Sequence, residues 1–199
     1  MDFPHYAGSL EIRQDGKRPV LRGRFPYDNL ATVAATGRVR KERFRPGAFA
    51  FSIREALAGR ARIDALVGHA YSKPLASTAT STLDFEDGRD ALEFEAALPE
   101  EGLQPSWIVD LLMSVRGGLP IGISPGFNVP AQLAGASELV PEPGNEDVLI
   151  RDISEAVLFE LSAVTRPAYQ ETDLQLRAAQ LERRAAADLV REAELWLSL

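Results

Sequence analysis

Apolar and polar positions alternate in short runs through the first half of the chain. SLEIRQ at 9–14, PVLRGRF at 19–25 and LATVA at 30–34 have strand length and composition, and Gly, Pro and Asp-Asn turn signals separate them. The spacing lengthens over PGAFAFSIREAL (46–57), where Phe49, Ile53 and Leu57 recur every four residues and Pro46 is pre-set for a first turn, so a helix is predicted. Strands resume at RIDALVGH (62–69), STLDF (81–85) and ALEFEAAL (91–98), with Glu86-Asp87-Gly88 as the hairpin loop between the last two.

A second helix is predicted at 105–116, where Pro105 opens it, Trp107, Leu111 and Val115 form one stripe, and Gly117-Gly118 closes it. PIGISPGFNV (120–129) reads as a strand. The segment 130–147 has three prolines, two glycines and no periodicity, and is expected to be a surface loop. VLIRDISEAVLFELSAVT (148–165) is rich in β-branched and apolar residues and predicts one or two buried strands. Leu174, Ala178, Leu181, Ala185, Leu189, Ala193 and Trp196 then outline an amphipathic helix over 173–197. Its apolar stripe needs a cover, either the chain's own core or a partner.

At 199 residues one core is the default, and 45% hydrophobic with 26% charged residues is ordinary for a soluble globular chain. The absence of cysteine rules out disulfides, a thiolate nucleophile and cysteine-ligated zinc. The two histidines, His5 and His69, form no HExxH-like pairing, so neither metal nor other cofactor is expected. A formal charge of −7 argues against nucleic-acid binding, and the basic stretch Arg38, Arg40, Lys41, Arg43, Arg45 is expected to be a solvated edge. No apolar run approaches a membrane span, and the first residues lack a signal-peptide layout, so a cytosolic protein is expected.

Three residues carry the candidate chemistry. On a strand, Gly122, Ser124 and Gly126 share one face, which stands the Ser124 hydroxyl between two positions with no side chain and leaves space for a substrate backbone. The bland alternative is a Gly-rich bend with an incidental serine. His69 ends an apolar run just before a polar, Pro-containing loop, YSKPLAS (71–77), and its imidazole suits a general base at neutral pH, whereas His5 sits in the N-terminal segment. Glu160, with Leu158 and Val164 beside it on one strand face and Val157, Phe159, Leu161 and Ala163 on the other, needs a partner in a buried strand. That partner is either His69, which would make it the orienting acid of a triad, or an arginine such as Arg166 in a structural ion pair. Ser162 is the rival nucleophile.

Four segments in order, RFRPGAF at 43–49, VGHAYSKPLA at 67–76, GISPGF at 122–127 and LFELSAVTRPAY at 158–169, resemble the prohead protease family of tailed phages, prophages and gene transfer agents. The resemblance implies His69 as base, Ser124 as nucleophile and Glu160 as third member. It implies a fold similar to the herpesvirus assembly proteases (assemblins): an α+β protein with a β-barrel core surrounded by helices. The protease domain would span 1–170, with a C-terminal helical tail over 171–199. Ala70 and Ala76 depart from the family pattern, which commonly has an acid after the histidine and Pro-Leu-Gly after that.

The implied activity is that of a serine endopeptidase. It would cut a scaffold protein, or the scaffold-like extension of the major capsid protein, during virion assembly, in the host cytoplasm and transiently inside the prohead. Self-association into a homo-oligomer is a further partner option; nucleic acid and membrane are not expected. The competing class is a catalytically inactive assembly protein that keeps the protease fold. A small-ester hydrolase is disfavoured by the absence of a GxSxG elbow.

Overall fold

The computed structural model describes residues 9–15, 18–34 and 40–165. Within them the chain forms three four-stranded open sheets, two α-helices and one 3-10 turn. This corrects the expected α+β fold with a β-barrel core surrounded by helices: each sheet ends in two edge strands, none of the sheets closes, and β-structure dominates. The tail 171–199, with the amphipathic pattern over 173–197, lies outside the described residues.

The first sheet contains β1 (Ser9–Asp15), β2 (Arg18–Pro26), β7 (Leu83–Asp87) and β8 (Ala91–Ala97) in the order β1-β2-β8-β7, all antiparallel. Along β2 the period-two pattern buries Leu21 and Phe25 and leaves Arg22 and Arg24 opposite Glu95 and Glu93. Gly23 lies opposite Phe94, whose ring fills the place of the missing side chain.

The second sheet runs β10-β11-β4-β3, from β3 (Ala31–Ala34), β4 (Arg40–Phe44), β10 (Ser137–Glu142) and β11 (Asn145–Ile153), with β11 and β4 parallel. The basic stretch expected as a solvated edge is therefore largely an inner strand, tolerated because acids face it. Arg43 and Arg45 both bond Asp152, Lys41 meets Glu142, and Arg151 meets Glu42. Burial pushes the Asp152 carboxyl up, but hydrogen bonds and charge from Arg43 and Arg45 outweigh it and hold the group below its ordinary value.

Asp152→Asn is accordingly expected to lose about 1–2 kcal/mol of stability at neutral pH. Because the folded carboxyl titrates low, its contribution is complete above the unfolded value near 3.9 and fades as pH falls through the folded one. Thermal unfolding of the two proteins should therefore differ at neutral pH and converge in acid. The segment 130–147 is also corrected, since 137–142 pairs with β11 through a reversal at Gly144, whose φ is +81°.

The third sheet, β6-β5-β12-β9, comprises β5 (Asp64–Val67), β6 (Ala70–Ser77), β9 (Gly122–Asn128) and β12 (Val157–Val164). β12 is central, parallel to β5 and antiparallel to β9. Helix α1 (Ala50–Leu57) packs Ile53 and Ala56 into the core, and α2 (Ser106–Arg116) packs Ile108, Leu111 and Leu112. An aromatic cluster of Phe25, Phe44, Phe49 and Phe127 joins the three sheets, with Phe44 and Phe127 edge-on at 4.7 Å between centroids.

Candidate active site

A bulge in β12 separates core from site. Leu158 pairs with Phe127 and Glu160 with Gly126, which leaves Phe159 as the extra residue. Leu158 and Glu160, two apart, would share a face on a regular strand. The extra residue turns Leu158 to the side of Leu161, Ala163 and Ile123 in the core, and Glu160 to the opposite side with Ser162. The sequence pattern that set Leu158 beside Glu160 is corrected accordingly. The bulge is braced from α1: Ser52 Oγ donates to the Phe49 carbonyl and accepts from Leu158 N–H at 3.0 Å. Ala156 N–H bonds the Ala48 carbonyl at 2.8 Å. The RFRPGAF segment thus helps seat the strand that carries the acid.

His69 lies in a two-residue turn between β5 and β6. Val67 pairs with Ala70, and both intervening residues have positive φ, +62° at Gly68 and +59° at His69. This is the backbone of a type I′ hairpin, whose second position glycine ordinarily fills. A histidine there costs roughly 1–2 kcal/mol of backbone strain, so neighbouring bonds must hold it. They come from β12: Gly68 N–H bonds the Ala163 carbonyl at 3.0 Å, and His69 N–H bonds Ser162 Oγ at 2.9 Å. The expected strand over 62–69 therefore ends at Val67, and the YSKPLAS segment, expected as a loop, lies within β6.

The turn directs His69 Nδ1 to Glu160 Oε1 at 2.6 Å. Glu160 is 1% exposed and its second oxygen accepts from Ser162 Oγ at 2.6 Å, so both of its oxygens are bonded. The histidine side chain is 25% exposed, leaving the imidazole partly open to solvent. Of the two partners weighed for Glu160, the structure pairs it with His69; Arg166 and His5 lie outside the described residues. Asp64, opposite Glu160 on β5, is engaged by Arg62 at 2.9 Å.

Ser124 sits directly opposite Ser162 in the β9–β12 register, and Gly126 directly opposite Glu160. Paired residues share a face with their Cβ atoms about 5 Å apart, so Ser124 stands on the side of the sheet that carries Glu160 and Ser162. It is half-buried and, among the described residues, its hydroxyl bonds no other side chain. The room at Gly126, expected to admit a substrate backbone, is instead filled by Glu160: a Cβ there would lie 2.2 Å from Oε1. Ser162 is fully buried and bonded on both sides of its oxygen, a placement its sequence position beside Glu160 at strand spacing could have suggested.

A buried carboxylate holding an imidazole through Nδ1, with a serine on the same face of the sheet, is the constellation of acyl-transfer hydrolases. The model of the caudovirus prohead serine protease family matches residues 11–186. The chain belongs to that family. It is a serine protease of phage-capsid maturation type. Comparison with curated proteins gave no match, and comparison with solved structures gave none either. No helix among the described residues is long and apolar enough to cross a membrane.

Proposed function

We propose that Ser124 is the nucleophile, His69 the general base and Glu160 the acid that orients it, in an endopeptidase that trims scaffold protein or the scaffold-like extension of the major capsid protein. The observation that supports this most is the 2.6 Å bond from His69 Nδ1 to a carboxylate that is 1% exposed. It fixes the tautomer with the proton on Nδ1 and leaves Nε2 as the basic atom. Nε2 takes the Ser124 proton as Oγ attacks the scissile carbonyl, and the imidazolium formed is stabilised by Glu160. The same proton passes to the leaving amine, and water, deprotonated by Nε2, then hydrolyses the acyl-enzyme.

Ser162 is disfavoured as nucleophile because its oxygen is buried and its proton is already committed to Glu160. Membership of the family supports a setting within the prohead, in the cytoplasm of a bacterial host, before the shell matures. Treating the protein with diisopropyl fluorophosphate and locating the adduct by peptide mass mapping tests the assignment. The adduct is expected on Ser124 and absent from His69→Ala; an adduct on Ser162, or none on the parent protein, would refute it.

A further inference from the structure

We infer that Ser162 is a positioning residue for this site, a buried hydroxyl that clamps the acid and the base together. The inference rests on the roles just proposed for His69 and Glu160. A serine hydroxyl has one proton and two lone pairs. Here the proton goes to Glu160 Oε2 at 2.6 Å, and a lone pair takes the His69 backbone N–H at 2.9 Å. One atom therefore fixes the carboxylate that receives the imidazole and the backbone that carries it.

Both ends need the clamp. Glu160 already spends Oε1 on His69, and without the Ser162 proton its other oxygen would be buried and unpaired. His69 holds φ at +59°, outside the regions its side chain prefers, and the Ser162 bond is made by the amide of that same residue. Fixed hydrogen bonds behind an acid–base pair matter because small displacements of reacting groups are expensive in rate. A second carboxylate on this face, Asp64, is an acceptor already engaged by Arg62 and supplies no hydrogen bond to Glu160.

The role separates from mere packing through the proton shared by His69 and Glu160. The bond from His69 Nδ1 to Glu160 Oε1 is short at 2.6 Å, so its proton is expected to give a separate downfield resonance in the proton NMR spectrum, and loss of the Ser162 bonds is expected to broaden or shift that resonance. The test is the second-order rate constant for diisopropyl fluorophosphate capture at Ser124 at neutral pH, together with that resonance and thermal unfolding, for the parent protein and Ser162→Ala. Ser162→Ala is expected to react roughly 10- to 100-fold more slowly, with the resonance broadened or shifted and full labelling still reached at Ser124. If alanine prevents folding, Ser162→Cys keeps the volume with a weaker donor and should show a smaller effect in the same directions. A variant as fast as the parent with the resonance unmoved overturns the clamp, as does a slower variant whose only other change is a lowered unfolding temperature. An adduct on a residue other than Ser124 in the parent protein would instead overturn the nucleophile assignment, so the two failures are distinct.

Discussion

Ser124→Ala is expected to abolish proteolysis while leaving thermal unfolding within about 0.5 kcal/mol of the parent. The two halves of this result have separate causes. Ser124 is half-buried and its hydroxyl bonds no other side chain among the described residues, so its removal strands no partner and opens no core cavity. On the proposed mechanism its oxygen is nonetheless the atom that forms the acyl-enzyme, and loss of the nucleophile in enzymes of this chemistry removes all but the contribution of binding and oxyanion stabilisation. Turnover and a melting curve on the same preparation suffice as the measurement. Substantial residual turnover with an unchanged melting curve would assign the attack to another group.

Gly126→Ala is expected to reduce turnover by about 100-fold or more, although residue 126 carries no chemistry. A Cβ there would meet Glu160 at 2.2 Å from Oε1, 2.6 Å from Cγ and 2.7 Å from Cδ. The neighbour cannot swing aside cheaply, since its two oxygens are bound by His69 and Ser162. Either the carboxylate rotates and releases the imidazole, or β9 moves away from β12 and carries Ser124 with it. Both routes disturb the site, and the overpacking should also cost about 1–3 kcal/mol of stability. Kinetics alongside thermal unfolding check it; activity near the parent level would show that the acid can leave its position without consequence.

The sequence signalled the helices over 46–57 and 105–116 and the regular strands well, because Phe49 and Ile53, or Leu21 and Phe25, pack where their periodicity says, although Leu57, the third residue of the first stripe, is exposed. Three strands escaped it for a shared physical reason. β4 is almost wholly charged, β6 begins with Ala70, Tyr71, Ser72, Lys73 and Pro74, and β10 carries Pro141 next to Glu142. Their pairing is set by β11 and β5, and tertiary partners override local propensity in strands. Closure of a sheet is likewise a matter of pairing between distant strands, which explains how a barrel could be expected where three open sheets stand.

The residues proposed for the site were legible, but their structural support was only partly so. His69, Ser124 and Glu160 stand out by chemistry and context in a chain with two histidines and no cysteine. The bulge at Phe159 that turns Glu160 away from Leu158 depends on the β9 register, and the positive φ of His69 on a turn whose second residue is not glycine. Neither leaves a local pattern. Ser162 did leave one, a polar residue two positions from a buried acid.

The most direct test of the whole account is incubation of the purified protein with its own capsid and scaffold proteins, followed by mass-spectrometric mapping of new termini. The account predicts defined new termini in one of those proteins with the parent enzyme, and none with Ser124→Ala or His69→Ala. The same termini produced by Ser124→Ala, or no cleavage by a parent protein that melts cooperatively, would contradict it.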